Sequence, residues 1–135
     1  MMYHDPFMFE GFEGVPELDE DGCARAKGPL EDGQQVASRE AVVDAAKSVY
    51  DPEIPVNIYE LGLIYYLEVE PTGRVCATMT LTAPGCPVAG VLPGKLAQTI
   101  AEVDGVGDVE VRLTWDPPWD MSMMSEAAKV ELNMF

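Results

Sequence analysis

Thr82-Ala83-Pro84-Gly85-Cys86-Pro87 is the stretch whose residue types and spacing most suggest chemistry. A run that alternates like a strand, Val75 to Leu81, leads into it, and an apolar run with helical spacing leads out. The pattern predicts that Cys86 sits where a strand turns into a helix, with Pro87 where proline best suits a helix start. Backbone N–H groups and the positive end of the helix dipole at such a junction favour an anion. For a cysteine that means a bias toward thiolate, the form that binds soft metals or attacks electrophiles. The alternative is a small residue buried in a tight turn.

The other candidates are fewer. Asp51 and Glu53 flank Pro52 at a predicted helix end. Such a pair reads equally as turn chemistry or as carboxylates held beside Cys86, serving as hard iron ligands or as a base toward the thiol. Cys76 falls within the predicted strand on the Thr78/Thr80 side, too far back along the chain to join Cys86 in a site, so a structural role is expected. Cys23 falls in the N-terminal extension and reads as a stray thiol rather than a second ligand. The one histidine, His4, lies in the same extension, which argues against a Ser/His/Asp or Cys/His catalytic set. Trp115-Asp116-Pro117-Pro118-Trp119 is stiff and aromatic; Trp115 and Trp119 either cover a sheet edge or present a partner-binding surface. Met121, Met123, Met124 and Met134 read as adaptable packing rather than copper ligands.

The elements that must position these residues follow from periodicity. Ser38 is a good N-cap before Val42, Ala45, Ala46 and Val49, which share one helical face, and Pro52 ends that helix by Tyr50. Two prolines make Asp51-Pro52-Glu53-Ile54-Pro55 a shaped loop. Leu63, Tyr65, Leu67 and Val69 alternate as one strand, Pro71-Thr72-Gly73 turns, and Val75, Ala77, Met79 and Leu81 return. Val88, Val91, Leu92, Leu96, Ile100 and Val103 make an amphipathic helix that Pro93-Gly94 is expected to break or kink. Val109, Val111 and Leu113 make a third strand, and a short helix is expected around Met123 to Leu132. The predicted order is α-β-β-α-β-α, an α+β domain with a three-stranded mixed sheet covered by helices.

Composition bounds the function. The 135 residues carry a net charge of −16, with −7 in residues 1–36 and −9 in the remainder. Eight scattered basic residues argue against nucleic acid, where clustered Lys and Arg neutralise phosphates. No apolar run approaches the 18 or so residues of a membrane span, and the N-terminus lacks a signal-peptide pattern, so a cytoplasmic protein is expected. Three cysteines without a CxxC pair argue against a disulfide framework or a self-contained zinc finger. One thiolate cannot hold an iron–sulfur cluster alone, since these clusters normally take four ligands, but it could do so across a homodimer or together with a partner. Residues 1–36 read as an acidic, flexible extension, and 37–135 as the domain. Phe7, Met8, Phe9 and Phe12 either pack loosely on that domain or form a docking peptide.

Asp51-Pro52-Glu53-Ile54-Pro55-Val56-Asn57-Ile58 with Glu60-Leu61-Gly62-Leu63, followed by Leu81-Thr82-Ala83-Pro84-Gly85-Cys86-Pro87, resembles the SufT-type iron–sulfur assembly domain. Eukaryotic cytosolic iron–sulfur targeting factors, PaaD and the N-terminal part of some Mrp/ApbC-type ATPases share that domain. The resemblance covers residues 38–114, and the Trp115–Trp119 segment and C-terminus are similar to the SufT branch. It implies an accessory factor in iron–sulfur protein maturation rather than a turnover enzyme. The implied cargo is a transient cluster or iron with no stable cofactor, and the implied partners are an assembly scaffold and client apoproteins. It carries a functional role to Cys86, with Asp51 and Glu53 as supporting acids. The alternatives are a metal-free adaptor bridging machinery and clients, or a PaaD-like subunit of an oxygenase complex. PaaD-like members typically add cysteine-rich C-terminal sequence, and no cysteine follows Cys86 here.

Overall fold

A computed structural model describes residues 16–20, 22–31, 33–51, 54–82 and 91–132. Four strands form one mixed sheet: β1 (Cys23–Lys27), β2 (Ile64–Val69), β3 (Val75–Met79) and β4 (Asp108–Leu113), in the order β1-β4-β3-β2. The pairs β1/β4 and β2/β3 are antiparallel, and β3/β4 is parallel. A parallel pair needs a crossover, and helix α2 (Leu92–Ala101) lies in it, packed on β1 and β4 and touching α1 (Arg39–Ala46). A 3₁₀ turn at Met121–Met123 and a short helix α3 (Glu126–Glu131) end the described chain.

The α+β class is as the periodicity predicts, but the sheet has four strands, not three. The extra one, β1, lies within the segment read as a flexible extension. Its sequence, Cys-Ala-Arg-Ala-Lys, has no β-branched or aromatic residue and so carries no strand signal of its own. What holds it is the ladder to β4, with Ala24 opposite Val111 and Ala26 opposite Val109. Cys23 is therefore a strand residue, 1% exposed, rather than a thiol in a tail.

The helix start at Ser38 is as expected: its hydroxyl accepts from the Ala41 N–H at 3.1 Å. The β2–β3 hairpin also stands, with Val75, Ala77, Met79 and Leu81 all buried. Its turn uses Gly73 at φ +87°, a left-handed conformation open to glycine. From Leu92 onward α2 runs through Pro93 and Gly94, with Pro93 in its first described turn; the expected turns from Val88 lie outside the described residues. The expected C-terminal helix is shorter than Met123 to Leu132, because Ser125 caps it: its hydroxyl accepts from the Ala128 N–H at 3.1 Å.

The core lies between the sheet and helices α1 and α2. Its fully buried members include Val42, Met79, Leu96, Ile100 and Val111, joined by Ile58, Leu61 and Leu63 from the loop between α1 and β2. That loop is ordered by its own polar groups. Asn57 accepts from the Glu60 N–H through its side chain at 2.9 Å, and a bridge joins Tyr50 to Asn57.

Candidate functional site

Strands β3 and β4 run parallel and end together, and the segments that leave them stay in contact. Thr80 N–H donates to the Leu63 carbonyl at 2.8 Å and Thr114 N–H to the Met79 carbonyl at 2.8 Å. Just beyond, Leu81, Thr82, Trp115, Pro118 and Trp119 line a mostly apolar cleft of about 330 Å³. The cleft joins the start of the Thr82–Pro87 motif to the aromatic turn. Cys86 and Glu53 lie outside the described residues, as does the expected helix start at Pro87; the described helix begins at Leu92.

The aromatic turn is held by hydrogen bonds from residues more than fifty positions away. The Trp119 indole N–H donates to the Leu61 carbonyl at 2.7 Å, and the Tyr65 hydroxyl donates to the Pro117 carbonyl at 2.7 Å. Ser125 N–H donates to the Glu60 carbonyl at 2.8 Å, so the C-terminal segment is tied along the 57–63 loop. The Asp116–Pro117 peptide is cis. Trp119 packs partly into the core, whereas Trp115 stays 46% exposed. Trp119→Phe keeps the ring but orphans the Leu61 carbonyl. It should cost about 1–3 kcal/mol, read as a lower urea midpoint at unchanged slope.

Tyr65 connects this turn to the sheet. It falls at the irregularity between Ile64 and Tyr66, where β2 shifts register against β3. Burial pushes its phenol above the usual range, and the Asp120 and Asp116 carboxylates push the same way, against an opposing effect of the Thr80 hydroxyl. Thr80 is fully buried, and its hydroxyl meets no hydrogen-bond geometry with any described residue. Asp120 sits below the usual carboxylate range because the Ser122 hydroxyl and backbone N–H both bond it.

Asp51 is 6% exposed, and its Oδ1 accepts from the Ile54 N–H at 2.9 Å. That bond is the turn chemistry open to it from sequence, and it fixes the loop that leads toward Asn57. Among the described residues no group of three or more His, Cys, Asp or Glu side chains could hold a metal. No helix among them is long and apolar enough to cross a membrane.

Cys76 is half-buried, and its thiol donates to Glu70 Oε2 at 3.4 Å. Burial raises its pKa, the Glu70 hydrogen bond adds to that, and Arg74 opposes. A raised pKa means less thiolate at a given pH, so Cys76 should react with iodoacetamide more slowly than an unstructured thiol. Peptide mapping after timed labelling at pH 7.5 should find it modified late, and modified faster once the chain is unfolded in urea.

Sequence reasoning missed Tyr65, Leu61 and Thr80 as parts of this site. Tyr65 and Leu61 act through hydrogen bonds across more than fifty residues, and Thr80 is buried near the register shift at Tyr65, none of which a local pattern encodes.

The iron–sulfur cluster assembly protein family matches residues 39–113. Among curated proteins, the Fe-S protein maturation auxiliary factor of Porphyromonas gingivalis is 47% identical over 96 residues, covering 71% of this chain and 91% of that one. The factor SufT of Staphylococcus aureus is 38% identical over 86 residues, 64% of this chain and 98% of that one. Among solved structures, a DUF59 domain of unknown function from Bacillus anthracis superposes with a TM-score of 0.62 at 29% identity, covering 72% of this chain and 92% of that chain. With more than half its length matched, this chain belongs to the iron–sulfur cluster assembly protein family. The SufT-type resemblance in the sequence is thereby met.

Proposed function

We propose that this chain, an accessory factor of iron–sulfur protein maturation, acts by bringing the Cys86 thiolate to a cluster or iron during hand-over between an assembly scaffold and a client apoprotein. The observation that supports this most is the cleft. Thr82, four residues before Cys86, lines it with Trp115, Pro118 and Trp119, so the thiol's own segment starts at an aromatic surface. A partner seated on Trp115 and Trp119 would lie close to the cargo. Such a contact matches the needs of a one-thiol chain, because the partner supplies the remaining cluster ligands. Asp51 holds the preceding loop in shape and Glu53 supplements the thiolate. Cargo binding is transient, turnover chemistry is not part of the role, and the protein works in the cytoplasm as a monomer or homodimer.

The metal-free adaptor is the second reading, and the same cleft favours it. Maturation of client enzymes in cells carrying Cys86→Ser or Trp115→Ala separates the two. Loss with either variant is the hand-over result; loss with Trp115→Ala alone assigns the adaptor.

A further inference from the structure

Strand β2 is an edge of the sheet, and among the described residues no strand pairs with its outer side. Glu70 N–H donates to the Arg74 carbonyl at 2.8 Å, so Glu70 and, two residues back, Glu68 turn their backbone groups toward β3. Leu67 and Val69 alternate with them and turn theirs outward. The outward Leu67 carbonyl accepts from Arg39 Nε at 3.3 Å, longer than a well-formed bond. An edge of this kind is a template for a further strand.

A trough runs along the edge. A hollow of about 520 Å³ lies among Val36, Ala37, Glu68 and Pro71, and a second of about 250 Å³ lies among Tyr59, Ile64 and Tyr65. Arg39, Tyr66 and Leu67 line both, so the two adjoin at the Arg39 side chain. From Ile64 to Pro71 the trough runs roughly 23 Å at about 3.3 Å per residue, the length of a seven-residue strand.

Charge selects the occupant. Leu67 points into the core, so Glu68 and Glu70 stand on the opposite face of the sheet. The Tyr66 hydroxyl bonds Glu68 and the Cys76 thiol bonds Glu70, but neither carboxylate forms an ion pair with a described residue. A second copy pairing edge to edge would set one row of glutamates against another, and like charges across a ladder are destabilising. A partner strand with lysine or arginine at alternate positions meets both carboxylates. The net charge of −16 also draws a cationic segment toward the chain.

We propose that β2 takes up an extended cationic segment of a partner protein as an added antiparallel strand. A segment N–H replaces Arg39 at the Leu67 carbonyl, and alternate basic side chains pair with Glu68 and Glu70. Strand addition does not depend on the role of Cys86. In this ladder the residues opposite Leu67 and Val69 exchange hydrogen bonds with them, and those opposite Glu68 and Glu70 turn their N–H groups to solvent.

The probe is acetyl-Thr-Val-Lys-Val-Lys-Val-Thr-amide, titrated into the isotopically labelled full-length chain and followed by amide chemical shifts. The Leu67 and Val69 amides should move most, with those of residues 36–39 next. Glu68→Gln/Glu70→Gln should weaken binding about fivefold through the loss of two cross-strand charge pairs. N-methylation of the peptide's valines should weaken it about tenfold or more, because the N–H groups that face β2 are lost. N-methylation of its lysines, whose N–H groups face solvent, should change it less than about twofold. The N-methyl comparison uses the wild-type chain, so it holds whatever the glutamine variant does to the fold. No saturable shifts at β2, shifts confined to other strands, or equal loss from the two N-methyl sets would overturn the proposal. So would shifts of the same amides on diluting the chain alone, which assign the edge to a second copy.

Discussion

Cys86→Ser should lower the activity of iron–sulfur client enzymes by about tenfold or more when it replaces the wild-type chain in cells. Groups that merely orient metal ligands typically cost 10–100-fold when changed, so a direct contact should cost at least that. Serine keeps nearly the size of cysteine but stays a neutral hydroxyl near pH 7, so it neither binds a soft metal as thiolate nor leaves a cavity. The urea midpoint and the far-ultraviolet spectrum should therefore match the wild type. A variant that unfolds would place Cys86 in the core and return it to the buried-turn reading.

Gly62→Ala should be the most destabilising single methyl in the described part of the molecule that touches the site. Gly62 has φ +78°, and an added Cβ would run into the Met123 carbonyl oxygen. The left-handed conformation costs a non-glycine residue about 1–2 kcal/mol, and the clash with backbone brings the total to about 2–4 kcal/mol. Gly62 N–H donates to the Tyr59 carbonyl and closes the turn that aims the Leu61 carbonyl at Trp119. Relaxing the clash should push the C-terminal segment away. The tryptophan emission should shift to the red even where the protein remains folded, and denaturant titration gives the loss directly.

Much of this domain could be read from its residues, and the failures have physical causes. The hairpin was legible because Val75, Ala77, Met79 and Leu81 alternate cleanly and all four are buried. The helix from Arg39 was legible because Ser38 is a strong cap. Strand β1 was not, since Cys-Ala-Arg-Ala-Lys owes its conformation to the β4 ladder rather than to local preference. Pro93 sits near the start of the described helix from Leu92, a place that suits proline, and the helix continues through Gly94 because Leu96, Ala97 and Ile100 are buried. At the site, Trp115 and Trp119 announced themselves by type. The Tyr65 and Leu61 bonds that hold their turn are long-range and left no trace in composition or spacing.

The account rests on the Cys86 thiolate meeting its cargo, and anaerobic reconstitution with iron and sulfide tests that most directly. Mixed with a client apoprotein that supplies the remaining ligands, wild-type chain should yield iron, sulfide and charge-transfer absorbance that the same mixture with Cys86→Ser lacks. Equal iron and equal spectra in the two mixtures, whether both load or neither does, would contradict the thiolate role.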